Sequence, residues 1–417
     1  MIISLKLNNS LIYNSPVEFT MRANMHYKKF SCNISEHSDI NILKSAILIG
    51  PNNSGKTNFV KAISAIQSIM LNRGSGIPAN LFSGNPVSEF EITFLNNEEE
   101  YVFQIKYDNQ KASYIYERFA KATYDTSKNR TEHNWFVRDS VNSVYVCESE
   151  ELGMAMKLAA QNNILIYLLD TSHFGLLARA KDILIEFASK IDIVDMNNIP
   201  IQKTIDILKS TGDSKQKVVD FIKNADLSLE DFRYLSDNEL NIKINSEVKP
   251  QESVLNVVAP VTDMLHLSSV YNGIAFPSLF YDSTGTKKLT AIASYVIEAL
   301  EKGRILIVDE LDNSLHFKLT RAIIALFNNE LNTNAQLICT VHDVSLLDCK
   351  KLFRKEQIWF AHKDKEKAYL YSLSEFTSEK DGIRDTSDII EKYRQGVFGA
   401  LPEPDLFRSL LGVSENV

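Results

Sequence analysis

The sequence predicts an α/β fold, a mixed β-sheet flanked by helices and interrupted by a largely helical insertion. Three observations carry this expectation. A short apolar run at 46–49 (Ala-Ile-Leu-Ile) enters the loop Gly50-Pro-Asn-Asn-Ser-Gly-Lys-Thr57, and apolar residues then recur at helical spacing (Phe59, Val60, Ile63, Ile66, Met70). A second run at 305–308 ends in Asp309 and Glu310. A third at 336–341 ends at His342, with a helical pattern over 315–327 between the two. Apolar runs alternating with helical periods are what parallel strands covered on both faces require.

Of the 417 residues 44% are hydrophobic, enough to bury at least one large core and to divide into lobes. The expected division is an N-terminal lobe over 1–121, a mainly helical insertion over 122–254 and a C-terminal lobe over 255–417. No stretch reaches the ~18 apolar residues of a membrane span. The opening Met1-Ile-Ile-Ser-Leu-Lys6 lacks the basic region and apolar stretch of a signal peptide, so a cytoplasmic protein without membrane contact is expected. Cys32, Cys147, Cys339 and Cys349 show no Cys-x-x-Cys spacing, which speaks against a disulfide framework or a zinc site. A formal net charge of -8 gives no global pull toward nucleic acid, so DNA contact would need a local basic patch or another subunit.

Residues 2–7, 11–13 and 17–21 read as strands leading into the run at 46–49, with Asn-, Ser- and Pro-rich turns between them. After the first helix, 74–85 reads as loop. The runs 91–95 and 101–107, parted by Asn96-Asn-Glu-Glu-Glu100, form a hairpin that 113–119 extends, peripheral to the loop-bearing sheet. The polar stretch 122–140 shows no period and reads as loop. Helical spacing returns over 150–187 and again over 201–210, 214–222 and 229–234. Residues 240–255 and 274–281 read as strands that bring the chain back to the sheet.

Glycines at 50 and 55 allow a tight loop whose backbone N–H groups turn inward to grip phosphate oxygens, and the following helix adds its positive N-terminus. Gly50, Asn52, Asn53, Ser54, Gly55, Lys56, Thr57 and Asn58 are therefore the expected ATP-binding residues. At this spacing Lys56 reaches the β- and γ-phosphates and the Thr57 hydroxyl ligates Mg²⁺. A carboxylate ending a buried strand beside the loop completes the metal site, which assigns Asp309; Glu310 can then orient and polarise the attacking water. His342 can donate a hydrogen bond to a γ-phosphate. Ser283, Gly285 and Thr286 open a helix carrying Leu289, Ile292, Val296, Ile297 and Leu300 that Gly303 ends; they can offer a hydroxyl and free N–H groups to an anion, or simply cap the helix.

Phosphate loop, Ser-x-Gly at a helix start, Asp-Glu after a strand, Asp312 and a strand-end His fall in an order that resembles the ABC-type ATPase heads of SMC proteins and their double-strand-break-repair relatives. The resemblance implies an ABC-type, SMC-like P-loop ATPase head, two of which sandwich ATP between one copy's P-loop and the other's signature. Ser283, Gly285 and Thr286 would then meet the γ-phosphate in trans, and Asp312 would lie in the loop coupling the two sites. The chain departs from the usual Leu-Ser-Gly-Gly-Gln signature with Asp282-Ser-Thr-Gly-Thr286, and no Q-loop glutamine is assigned.

Closer is the resemblance to the OLD-like, AbiL and RloA type of prokaryotic ATPase in phage-defence operons, which includes the AriA subunit of PARIS systems. It rests on Gly50-Pro-Asn-Asn-Ser-Gly-Lys-Thr-Asn58, Ser283-Thr-Gly-Thr286, Val341-His-Asp-Val-Ser-Leu-Leu-Asp348, Glu356-Gln-Ile-Trp-Phe360 and Tyr393-Arg-Gln-Gly-Val-Phe-Gly-Ala-Leu-Pro402. It implies a slow, regulatory ATPase, a homodimer or higher homo-oligomer, that restrains a separately encoded effector, a Toprim-type or other nuclease, until a phage-derived trigger arrives. The stretch after His342 carries no Toprim acid cluster, so the nuclease would be another polypeptide. An SMC-like DNA-repair or DNA-organising ATPase is the alternative, disfavoured by the acidic charge and the absence of a sustained heptad. The ATPase subunit of a membrane transporter ranks below both.

Overall fold

The computed structural model describes residues 1–401 apart from 75, 81, 226–227, 237–256, 259–260, 365–366 and 385–386. The chain opens with β1 (Ile2–Asn8), β2 (Val17–Thr20), β3 (Ile34–Glu36) and β4 (Asn41–Leu43), then β5 (Ser45–Ile49), which leads into α1 (Lys56–Met70). There follow β6 (Val87–Asn96), β7 (Glu99–Asp108), β8 (Ser113–Tyr124), β9 (Arg130–Asp139) and β10 (Val144–Val146), then α2 (Glu150–Leu158), α3 (Leu165–Leu168) and α4 (Gly175–Ser189). Next come β11 (Ile191–Asp195), β12 (Ile199–Pro200), α5 (Gln202–Lys209), α6 (Asp213–Ala225), β13 (Asp231–Tyr234), β14 (Val257–Val258) and α7 (Val261–Leu265). β15 (Leu267–Tyr271), β16 (Ile274–Pro277) and α8 (Ser278–Tyr281) precede the long α9 (Thr284–Lys302). The last elements are β17 (Ile305–Asp309), α10 (Phe317–Phe327), β18 (Gln336–Val341), β19 (Ile358–Lys363), β20 (Ala368–Ser372) and α11 (Ile389–Arg394).

Two sheets position the site. The first has the order β11-β17-β18-β5-β19-β20, parallel except for the β20 edge. Every residue of β5, β17 and β18 is buried because helices or the second sheet cover both faces. The period-two alternation sorts their side chains. Ala46, Leu48, Ile305, Ile307 and Ile338 enter a core shared with α1 and α4, whereas Ile47, Ile49, Leu306, Val308 and Leu337 enter one shared with α5, α6, α9 and α10. This mixed, helix-flanked sheet is the α/β fold the sequence predicts.

The second sheet is antiparallel, in the order β10-β9-β8-β7-β6-β1-β2. The strands expected to be peripheral are instead one wall of the first core. Phe94 of β6 stacks on Phe187 of α4 with ring centroids 4.0 Å apart, and Phe19 of β2 meets Phe59 of α1 edge-on at 4.9 Å. Buried Gln336, at the start of β18, ties the two sheets together. Its Oε1 accepts from the Ile2 amide at 2.8 Å and its Nε2 donates to the Ile2 carbonyl at 3.0 Å. Its second Nε2 hydrogen goes to the Leu43 carbonyl at 3.2 Å, so an amide with no access to water has both donors and its oxygen paired.

Four expectations are corrected. The stretch 122–140, read as loop, holds the end of β8 and all of β9. The first half of β9 faces solvent and is fastened by polar cross-strand pairs such as Arg118–Asn134 and His133–Thr123, and a bulge at Phe119/Ala120 breaks the register, so no apolar period is visible. Residues 229–234, read as helix, contain the short strand β13, in which only Phe232 is buried; four residues are too few to separate the two periods. The strand expected over 274–281 stops at Pro277 and the chain turns into α8. Residues 11–13 form a turn with Leu11 at φ 54°, joined by isolated bridges from Ser10.

The segment 122–254, expected as the helical insertion, is helix-rich between Glu150 and Ala225, yet it lends β9 and β10 to the antiparallel sheet and β11 to the parallel one. The strands expected over 240–255 lie outside the described residues, as does Pro402. Among the described residues no helix is long and apolar enough to cross a membrane.

Candidate nucleotide site

The chain turns at once where β5 ends. A Cβ at Gly50 would stand 2.0 Å from the Ala361 carbonyl oxygen of β19, so only glycine lets the two backbones approach. Gly55 precedes α1 at φ 110°, where a Cβ would also lie 2.6 Å from Ile12 Cδ1. The buried Tyr13 hydroxyl donates to the Gly55 carbonyl at 3.0 Å, so the turn at 11–13 props the loop from outside. Gly50→Ala is expected to cost about 3 kcal/mol of stability by forcing β5 and β19 apart, read as a lower urea midpoint.

Lys56 Nζ folds back over its own loop, donating to the carbonyls of Gly50 at 2.6 Å and Pro51 at 2.9 Å. Burial lowers its pKa below the ordinary lysine value, opposed by the charges of Asp309, Glu310 and Asp312. Ser54 Oγ is buried without a hydrogen-bond partner among the described residues, and Thr57 is exposed in the first turn of α1. An orphaned hydroxyl, a cation resting on carbonyls and an open helix N-terminus fit a polyphosphate. Ser54, Lys56 and the loop amides would hold it, and Thr57 with Asp309 would hold its Mg²⁺.

The acids converge from the neighbouring strands. Asp309 Oδ1 accepts from the hydroxyl of buried Thr340 on β18 at 2.6 Å, and the same oxygen of Thr340 accepts from the Glu310 amide at 2.7 Å. One threonine thereby sets the pose of both acids. Glu310 adopts φ 57°, a conformation uncommon for glutamate. Its Oε2 accepts from the side-chain amides of Asn197 and Asn313, each at 3.0 Å, and its Oε1 lies 3.5 Å from His342 Nε2. Burial pushes the Glu310 pKa up, but the two amides and His342 outweigh it and hold the carboxyl below its usual range. Asp312 Oδ2 accepts from the backbone amides of His342 at 2.7 Å and Asp343 at 2.6 Å, clasping the loop after β18.

Ser283 acts as a cap in this chain: its Oγ accepts from the Thr286 amide at 3.1 Å at the start of α9. Ser283 is nonetheless exposed, and Gly285 presses on the segment after Glu310, where a Cβ would lie 2.7 Å from the Ser314 carbonyl oxygen. Asp282, one residue before the cap, is buried and accepts hydroxyl hydrogen bonds from Ser269, Tyr271 and Ser278. It locks the signature-like turn onto β15.

Sequence reasoning missed Tyr13, Asn197, Asn313 and Thr340. Asn313 follows Glu310 by one turn and could have been found by spacing. Asn197 is 113 residues from Glu310 in sequence and becomes its neighbour only because β11 pairs with β17.

A phosphate loop springing from the middle of a parallel sheet, paired acids ending the strand two places away, a strand-end histidine clasped by Asp312 and an antiparallel sheet packed alongside define a P-loop ATPase head of the ABC type. The chain belongs to the family described as "AAA domain, putative AbiEii toxin, Type IV TA system", whose model matches residues 45–348. Among curated proteins none matches the chain. Among solved structures it is similar to the SMC head domain from Thermotoga maritima, with 14% identity over 89% of this chain and 98% of that one and a TM-score of 0.41. It is also similar to the SmcHead bound to the C-winged helix domain of ScpA, with 14% identity over 91% and 99% and a TM-score of 0.44.

Proposed function

We propose that the chain is the ATP-binding and ATP-hydrolysing sensor subunit of a prokaryotic anti-phage system of the OLD-like AbiL and RloA type. It works in the cytoplasm, dimerises through its heads, and restrains a separately encoded effector, a Toprim-type or other nuclease, until a phage-derived trigger arrives. The family's own description, with its abortive-infection and toxin–antitoxin terms, supports the setting.

The observation that carries the reading is the state of Glu310. A carboxylate beside a phosphate loop is equipped to orient water, yet both oxygens face donors already, Asn197 and Asn313 on one side and His342 on the other. Such a site turns over slowly until something rearranges it, which suits a sensor better than a motor. Bound Mg-ATP would supply the phosphoanhydride that water cleaves. Lys56, Thr57 and Asp309 would hold that group, His342 would face its terminal phosphate, and Glu310 would orient the water. Ser283, Gly285 and Thr286 of a second copy would close the site, with Asp312 linking signature and switch loop.

The test is expression of the chain with its adjacent gene under phage challenge, together with light scattering of the purified protein with and without Mg-ATP. Protection that needs both genes, and ATP-driven assembly, are expected. Full protection from the chain alone, or a protein that stays a single copy with Mg-ATP, would overturn the reading.

A further inference from the structure

Lys288 sits one turn into α9 and is only 2% exposed, yet it forms no ion pair with a described carboxylate. A buried ammonium without a close counter-charge is costly, and here burial does lower its pKa, opposed at longer range by Glu310 and Asp195. Its Nζ donates instead to Asn313 Oδ1 at 3.0 Å and approaches Ser314 Oγ at 3.4 Å. An ammonium can only donate, so together with the Ser314 hydroxyl, which donates to the same Oδ1 at 3.0 Å, it holds the Asn313 amide in one orientation. With Oδ1 turned to Lys288, the Asn313 Nδ2 must face the other way, where it donates to Glu310 Oε2 at 3.0 Å and to Asn197 Oδ1 at 2.8 Å. Asn197 then donates to the same carboxylate oxygen. The contact of Gly285 with the Ser314 carbonyl leaves no slack between α9 and this segment.

We propose that Lys288 is a positioning residue that couples the signature helix to the water-orienting carboxylate of its own subunit. By fixing the Asn313 amide it keeps Glu310 held between two asparagines, and a shift of α9 on engaging a second copy releases that hold. Lys288 touches neither substrate nor the reacting atoms; it acts through Asn313. The release step rests on the two-headed reading above, whereas the hold itself involves residues of a single chain.

The experiment is amide hydrogen exchange on the full chain without nucleotide, comparing wild type with Lys288→Met and Lys288→Arg. Loss of a hydrogen bond to a charged group is expected to raise exchange of the amides over 310–314 roughly tenfold in Lys288→Met, with α1 and the antiparallel sheet unchanged. Lys288→Arg, which can still donate to Oδ1, stays at the wild-type level. With ATP, turnover per chain rises with protein concentration in both proteins, because a second copy closes the site, and at matched concentration it is higher in Lys288→Met than in the wild type. Exchange over 310–314 within twofold of wild type in Lys288→Met, or an Arg variant matching Met, overturns the coupling. Should Lys288→Met fail to fold, Asn313→Ala is expected to give the same rise over 310–314, and its failure to do so overturns the proposal equally. If the wild type proves inert toward ATP, the exchange result still stands and the fault lies in the functional reading.

Discussion

Lys56→Ala is expected to abolish measurable ATP uptake and to lower turnover by about 100-fold or more, the scale of losing one preorganised charge at a developing anion. The ammonium rests on the Gly50 and Pro51 carbonyls at the mouth of the loop, and both are left without that donor in the variant. The loop itself should survive. Its shape is enforced by the Gly50 approach to β19, the φ of Gly55 and the Tyr13 hydroxyl, none of which involves the lysine side chain. Calorimetric titration with Mg-ATP beside a thermal melt separates the two effects. Undiminished binding would remove Lys56 from the site, and a collapsed melt would make it a structural residue.

Glu310→Gln is expected to slow hydrolysis by roughly 10²–10⁴-fold while leaving ATP binding intact, because it removes the proton acceptor and little else. The glutamine oxygen can still accept from Asn197 and Asn313, and the backbone, held by the Thr340 hydroxyl, is untouched. With hydrolysis blocked, an ATP-bound assembly should accumulate. Single-turnover assays and light scattering report the two arms separately. A rate equal to the wild type's would assign the water to another group, and a variant that remains a single copy under Mg-ATP would dissolve the two-headed site.

The parts of this site that repeat a spacing were legible in the sequence. The strand–loop–helix around Lys56, the acids ending β17 and the histidine ending β18 all lie where local pattern put them. The parts built by tertiary approach were not. Thr340 reads as one residue of an apolar strand, and its hydroxyl matters only because β18 lies beside β17. Tyr13 reads as strand, but an isolated bridge and a positive φ at Leu11 turn it toward Gly55. β9 was hidden for a different reason. Half of it is solvated on both sides and fastened by polar pairs, so the apolar period that marks a strand never develops.

The central place of β5 has a consequence during synthesis. Its two neighbours, β18 and β19, are made long after it; the Gln357 amide that meets the Ser45 carbonyl is 312 residues further along the chain. At the usual ribosomal pace of about 5–20 residues per second, that is a delay of roughly 15–60 s. A half-translated polypeptide therefore carries a phosphate loop whose strand still lacks both of its sheet neighbours, and the close approach of Gly50 to β19 forms only near the end of synthesis.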